Sequence, residues 1–372
     1  VPSVAGFLPS ATMPDDILID GADKVRALLM SCGNPLLSAP GGERLEAALQ
    51  ALELFVSFDL YVNESNRHAH YILPGTTFLE RADVPVIGFG FMIRPFVQYS
   101  DAVIPPLGES RNEYDTYLAI TQRMGLGAPT ASKLRRWLSK LHLAPRPLTL
   151  IDLGLRLGPV GDRFGLRPDG WSFGKLRRHP HGVMVDVPHG HQTWRERIAY
   201  PDQRIHVWHE IVARECARLF AESGTRPRFR LLSIREIRSL NSWMHNVDRL
   251  VRAQLPVLTM HPLDADELGV QDGELVRIST AAAALEVPVR RSDEVVRGAV
   301  CYPHGWGHRE NHGGWQRANR TVGVNINRLL GLGVESIEFV SGSTRIDGLP
   351  VSIERIASNA SAQVAESSAI AA

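Results

Sequence analysis

LLSIREIRSLNSWMHN, residues 231–246, passes from a short apolar strand into a run crowded with hydrogen-bonding side chains. Ser239, Asn241, Ser242 and Asn246 stand beside the rings of Trp243 and His245 and the guanidinium groups of Arg235 and Arg238. Buried polar groups without partners cost roughly 1–3 kcal/mol each. So dense a run therefore points to a ligand rich in oxygen, nitrogen and negative charge. The competing reading is a polar surface loop. The strand ahead of it, 231–234, opens the part of the chain whose pattern decides the fold.

Downstream of that stretch the pattern is β-rich. Residues 256–260 read as a strand, and His261-Pro262 leads into a short helix at 264–268 with Pro near its first turn. Asp272-Gly273 marks a tight turn, and apolar and polar residues alternate over the stretches that follow it, 274–280 and 285–290. Residues 299–302 and 349–353 add two more strands. Strands with one small helix and long polar loops predict a closed barrel. PHGWGHRENHGGWQRAN, 303–319, carries His304, His308 and His312 at four-residue spacing. That spacing would align them on a helix as metal ligands of a hydrolase, but Gly305, Gly307 and Gly313 argue against the helix, so loop histidines are favoured. Asn325 and Asn327, in GVNIN, fall two apart on one face of an extended segment. The tail from Ser358 is small and polar and reads as disordered.

Upstream, strand-like and helical stretches alternate. Strands are predicted at 25–30, 54–59 and 71–73, with a helix over 43–52 and a short one at 63–69. This order predicts a parallel α/β arrangement. Ligands in such sheets sit outside the carboxyl ends of the strands, where Gly33-Asn34-Pro35 and Asp59 fall. The glycine lets backbone N–H groups approach an anion, and the carboxylate can pair with a guanine edge or a ribose hydroxyl. A plain turn with a solvent-facing Asp fits those residues equally well. Glu109 and Arg111 read as solvated, just ahead of a helix at 111–124. Residues 126–230 show weaker periodicity, with helices at 132–140 and 209–222 and a Leu-rich stretch at 148–157. Histidines at 179–181 and 189–191 lack acidic or Cys partners at ligand spacing and read as loop residues.

Composition narrows the function classes. Hydrophobic content of 44% and charged content of 22% over 372 residues fit an ordinary globular chain of two to three domains. A net charge of +1 disfavours electrostatic binding of nucleic acid or membrane surface. No apolar run approaches the roughly 20 residues of a membrane span. Cys32, Cys216 and Cys301 are too dispersed for a zinc or iron–sulfur site, and predict a reducing compartment, hence the cytoplasm. Cys32, at a strand end, reads as a small buried hydrophobe rather than a nucleophile.

Several phrases occur in order: CGNPLLSAPGGERLEAAL (32–49), FVSFDLYVNESNRHAHYILPGTTFLERAD (55–83), PFVQYSDAVIPPLGESRNEYD (95–115), REIRSLNSWMHN (235–246), HPLDADELGVQDGELVRI (261–278), YPHGWGH (302–308) and GVNIN (323–327). Together they resemble the C-terminal half of molybdopterin oxidoreductases, the family of formate dehydrogenases, nitrate reductases and dimethyl sulfoxide reductases. The resemblance covers most of 20–125 and 228–356. It implies a partial parallel, Rossmann-like α/β domain over 1–130, an irregular and partly helical connection over 131–227, and a double-psi β-barrel over 228–357. It further implies a molybdopterin guanine dinucleotide, in the Mo-bis-MGD form. Gly33, Asn34, Pro35 and Asp59 would then contact the guanosine–diphosphate end, and Asp83 is a second candidate for the guanine edge. Arg235, Ser239, Asn241, Ser242, Trp243, His245 and Asn246 would meet the pterin and pyrophosphate, and Asn325 and Asn327 would cap a pterin. Amides suit the pterin edge because they donate and accept at once. The family's metal ligand and iron–sulfur cysteines would lie in a preceding N-terminal half, with which this chain would partner and without which it would be inactive. A stand-alone pterin-dinucleotide carrier is the alternative. On the fragment reading, the α/β sheet should expose apolar surface and the isolated chain should be poorly soluble.

Overall fold

In a computed structural model the described residues are 7–89, 92, 96–126, 133–140, 145–185, 198–222, 227–252, 254–308 and 315–356. The histidines at 189–191, His312 and the tail from Ser358 lie outside them. The chain divides into two compact units, one of Val1–Ile72 with Trp208–Ala372 and the other of Leu73–Val207. The expected divisions at 130 and 227 differ from this. The first α/β stretch clusters with the barrel, while the middle of the chain forms its own unit. Local periodicity carries no information on such long-range grouping.

In the first unit, α1 (Met13–Leu18) precedes β1 (Ala27–Ser31), α2 (Pro35–Ser38), α3 (Gly42–Gln50), β2 (Leu54–Phe58) and β3 (Tyr71–Leu73). β1 and β2 pair in parallel from Ala27↔Leu54 to Ser31↔Phe58, in a sheet ordered β1-β2-β3. Parallel neighbours need a crossover, and α3 supplies it. Leu45, Ala48 and Leu49 recur at helical spacing, so one face of α3 is wholly buried against Ile17, Leu36 and Phe55. Each of those leucines stabilises by about 2 kcal/mol through burial. β1 buries only Met30 fully and leaves Leu29 40% exposed.

The second unit holds helices Glu113–Arg123, Lys133–Lys140 and Pro147–Leu157 and a two-stranded ribbon of β4 (Phe96–Val97) and β5 (Val183–Met184). Asn112 caps the first of these helices by accepting from the Tyr114 N–H. Val84, Tyr99, Phe173 and Leu176 form its core.

Residues 229–355 close a six-stranded barrel from β6 (Phe229–Ile234), β7 (Leu258–Met260), β8 (Leu275–Ser279), β9 (Ala284–Arg291), β10 (Ala299–Pro303) and β11 (Leu349–Arg355). Their order around it is β10-β6-β11-β8-β9-β7. Alternation sends Val276 and Ile278, Leu285, Val287 and Val289, and Val351 and Ile353 into a single core. β10 with β6 and β7 with β9 are parallel, and the other pairs are antiparallel. Gly273, at φ +80°, sits in the tight turn at Asp272-Gly273 that leads into β8.

Candidate functional site

The loop leaving β10 is the hub of the site. Pro303 ends the strand and His304-Gly305-Trp306-Gly307-His308 follows. Gly305 and Gly307 both hold positive φ, +90° and +94°. A Cβ on Gly305 would lie 2.2 Å from the Asn241 carbonyl oxygen, and one on Gly307 would lie 2.3 Å from the Asn325 backbone nitrogen. The two glycines therefore let this loop lie directly against the 235–246 loop and the GVNIN segment. Trp306 is buried between them and donates from Nε1 to Glu236 Oε2 at 3.2 Å.

From this hub a chain of polar groups crosses to the α/β part of the same unit. Asn34 Nδ2 donates to Glu64 Oε2 at 2.6 Å, and the Ser65 hydroxyl donates to Asn34 Oδ1 at 2.7 Å. Glu64 Oε1 lies 2.8 Å from His308 Nδ1, and His308 Nε2 lies 2.9 Å from His245 Nδ1. Burial acts to raise the Glu64 carboxyl, but the His308 hydrogen bond and charge, with Asn34, outweigh it and hold it below the ordinary range. Burial pushes His245 down to about 3, helped by the neighbouring His308, so it is neutral at pH 7. His304 is lowered by burial and by Arg235. The rings pack as well as bond: His245 sits 4.1 Å from Trp306, and His308 stacks on Trp315 at 5.2 Å.

Three buried nitrogens of this cluster have no hydrogen-bond partner among the described residues: His245 Nε2, His304 Nε2 and Trp315 Nε1. Unsatisfied groups of this kind cost about 1–3 kcal/mol apiece, which a polar ligand would relieve. Two adjoining cavities run along the α/β side of the loop, reaching the polar chain at Glu64 and His308. One, of about 200 Å³, is lined by Leu36, Glu64, His308 and Asn325. The other, of about 300 Å³, is lined by Gly41, Arg44 and Leu332, and the two share Gly42 and Arg328. Among the described residues no three His, Cys, Asp or Glu side chains gather as a metal site. His304 and His308 stand on an irregular loop, as the glycines implied, and His312 is outside the described residues.

The sequence-predicted residues fare differently. His245 and the Asn241 and Asn325 backbones meet the hub, and Asn34 reaches it through Glu64. Pro35 opens α2, and the Gly33 carbonyl accepts from Asn63 Nδ2 at 3.2 Å. Asp59 is neither solvent-facing nor aimed at open space: it is buried, and accepts from the Leu60 N–H and from Asn63 Nδ2, fixing its own turn. Asp83 belongs to the other unit, where it is exposed and its backbone pairs with Ser100. Arg235 Nη2 donates to Asn241 Oδ1 at 2.8 Å, and the Ser239 hydroxyl to Gln254 Oε1 at 2.8 Å. Asn246 Oδ1 accepts the Arg317 N–H, Ser242 is buried, and Trp243 starts a 3₁₀ turn through Asn246. Cys32 is exposed, not buried, and holds φ +49° at the end of β1.

Asn325 and Asn327 carry a correction. The segment is not extended past Asn325, which caps a 3₁₀ turn at Ile326–Leu329. Their Nδ2 atoms donate to the Leu36 carbonyl at 2.6 Å and the Leu37 carbonyl at 2.7 Å, fastening the barrel to α2. Asn327→Ala should therefore cost about 1–3 kcal/mol, because a buried carbonyl loses its donor. Urea denaturation measures this, and an unchanged midpoint would refute the role. Glu64, Glu236 and Trp306 were not singled out from the sequence. The one signal was a glutamate set among Asn63, Ser65 and Asn66, which is unusual company for a surface carboxylate.

Residues 6–123 match the model of the family described as Molybdopterin oxidoreductase, and residues 229–338 match that of the Molydopterin dinucleotide binding domain. Acetylene hydratase of Syntrophotalea acetylenica is 26% identical over 300 residues, covering 78% of this chain and 38% of that protein. Dimethyl sulfoxide/trimethylamine N-oxide reductase of Rhodobacter capsulatus is 25% identical, over 74% of this chain and 35% of the relative. The assimilatory nitrate reductase catalytic subunit of Bacillus subtilis is 23% identical, over 77% and 38%. Among solved structures, acetylene hydratase from Pelobacter acetylenicus superposes with a TM-score of 0.61 at 20% identity, covering 93% of this chain and 46% of that one, which is a likeness of fold. The chain thus spans less than half the length of these relatives. The two matched domains and the relatives support the molybdopterin oxidoreductase family and a molybdopterin cofactor. The first match starts at residue 6, so it does not carry the reading of a C-terminal half alone. No described helix is long and apolar enough to cross a membrane.

Proposed function

We propose, with the molybdopterin oxidoreductase family as premise, that this chain binds a pterin–guanine dinucleotide and works within a molybdenum-dependent oxidoreductase. The observation that carries the reading is the set of three unpartnered buried nitrogens at the hub, inside the part of the chain matched as a dinucleotide-binding domain. They fit a planar heterocycle whose edge alternates donors and acceptors. Arg235, Ser239, Asn241, Ser242, Trp243, His245 and Asn246 would face the pterin and pyrophosphate. Gly33, Asn34 and Pro35 would face the guanosine end, while Asp59, spent on the Leu60 N–H and Asn63, would hold their turn in place. Asn325 and Asn327 act as positioning residues, since their amides already hold α2. The two parallel strand pairs support a double-psi crossing of the barrel.

When bound, the group supplies redox chemistry at molybdenum, and this chain's residues bind and orient it. The remaining length of such an enzyme would supply the metal ligand and any iron–sulfur cluster. Relatives named for a hydration, an N-oxide reduction and a nitrate reduction match over similar shares, so the matched stretch does not set the reaction. Calorimetric titration of the full chain with molybdopterin guanine dinucleotide should give saturable binding near one equivalent. Absence of heat and of any shift in melting temperature would defeat the reading.

A further inference from the structure

A net charge of +1 is a sum over 372 residues, and the charge is unevenly spread. From Met124 to Ile151 there is no Asp or Glu, while Lys133, Arg135, Arg136, Lys140 and Arg146 all fall there. Four of these five stand in KLRRWLSK, which forms the helix Lys133–Lys140 of the second unit. A step of about 100° per residue puts Leu134, Trp137 and Leu138 in one stripe, with Lys133 and Arg135 at the positions bordering it on either side. The stripe is not spent on the unit's interior. Leu134 is 66% and Trp137 58% exposed, and Leu138 is half-buried. Among the described residues, none of this helix joins the cluster around Val84, Tyr99, Phe173 and Leu176. Holding an indole and a leucine in water forgoes the burial that normally fixes so short a helix, which leaves the face open to a partner.

We propose that the helix Lys133–Lys140 is an interfacial anchor that lays its Leu134–Trp137–Leu138 stripe into the surface of an anionic bilayer. The four cations supply the attraction, each adding about fivefold to binding near an anionic leaflet. An indole settles at headgroup level, and leucines enter the acyl boundary below it. Lys and Arg reach lipid phosphates because their long stems keep the charge in water. Other occupants fit one half of the pattern. Nucleic acid would take the cations and leave the leucines in water. A protein surface typically needs about 800 Å² per partner, more than three side chains on two turns provide. The attachment is peripheral, since no described helix is long and apolar enough to cross a membrane. It does not rest on the cofactor reading.

Co-sedimentation of the full chain with vesicles tests this. At about 0.1 M salt, vesicles with about one-third phosphatidylserine should bind at least about 10-fold more tightly than vesicles of phosphatidylcholine alone, and about 1 M salt should cancel the difference. Trp137→Gln should weaken binding to the phosphatidylserine vesicles by about 10-fold, and Arg135→Gln combined with Arg136→Gln by about 25-fold. Equal binding to the two kinds of vesicle overturns the proposal, and so does a Trp137→Gln chain that binds as wild type does. Urea denaturation guards against a folding effect. The Trp137→Gln midpoint should match wild type, and a large fall would place the ring in the core and overturn the proposal. Retention of an oligonucleotide but not of vesicles would assign the cations to nucleic acid. A dimer in sedimentation velocity that Trp137→Gln dissociates, without vesicle binding, would assign the stripe to a second copy of the chain. Either result overturns the bilayer as occupant.

Discussion

Gly307→Ala is expected to lower stability by roughly 2–5 kcal/mol. Two costs add. A non-glycine residue at φ +94° takes on about 1–2 kcal/mol of backbone strain. The new Cβ would sit 2.3 Å from the Asn325 nitrogen, against backbone that cannot swing aside as a flexible side chain does. Displacing it disturbs the Asn325 and Asn327 bonds to α2, at a further cost of about 1–3 kcal/mol. Gly273→Ala is the control. Its φ is +80°, but nothing lies within 4 Å of the added atom, so only the strain remains. Urea denaturation of both variants separates the terms. Equal losses would show that Gly307 is there for its backbone angle and not for the close approach of two loops.

Acidification from pH 7 to 4 is expected to remove roughly 3 kcal/mol through His245 alone. Burial, then the neighbouring His308, lower its folded value to about 3 from 6.5, while the unfolded chain protonates near the ordinary value. Between those limits the unfolded state binds the extra proton, so stability is complete above about pH 6.5 and falls steadily toward pH 3. His304, lowered by burial and Arg235, acts in the same sense. Glu64, held below its ordinary 4.5, adds its own loss once pH falls under that value. Denaturation midpoints at pH 7, 5.5 and 4 check this, and His245→Phe should flatten the slope. A midpoint that holds steady from pH 7 to 4 would mean the ring is solvated.

The barrel was legible because its strands obey a local rule. Val276 and Ile278, then Leu285, Val287 and Val289, alternate with outward residues along the two strands that follow the turn at Asp272-Gly273. The α3 face was legible for the same reason at helical period. The site was less so. Nothing near Glu64 in the chain points to His308, which lies 244 residues on and meets it only after folding. Asn325 and Asn327 have the right chemistry for a ligand, and the fold uses that chemistry on the carbonyls of Leu36 and Leu37. Cys32 has the composition of a core residue but stands at a strand end where the backbone turns left-handed.

Because Leu73–Val207 form a unit of their own, the two stretches that build the hub are not made consecutively. At about 5–20 residues per second, translation of that middle unit takes roughly 7–27 s. Throughout that interval the carbonyls of Leu36 and Leu37 lack the amides of Asn325 and Asn327, and Glu64 lacks His308. The first α/β stretch therefore gains its fastenings to the barrel only once residues 308–327 have emerged.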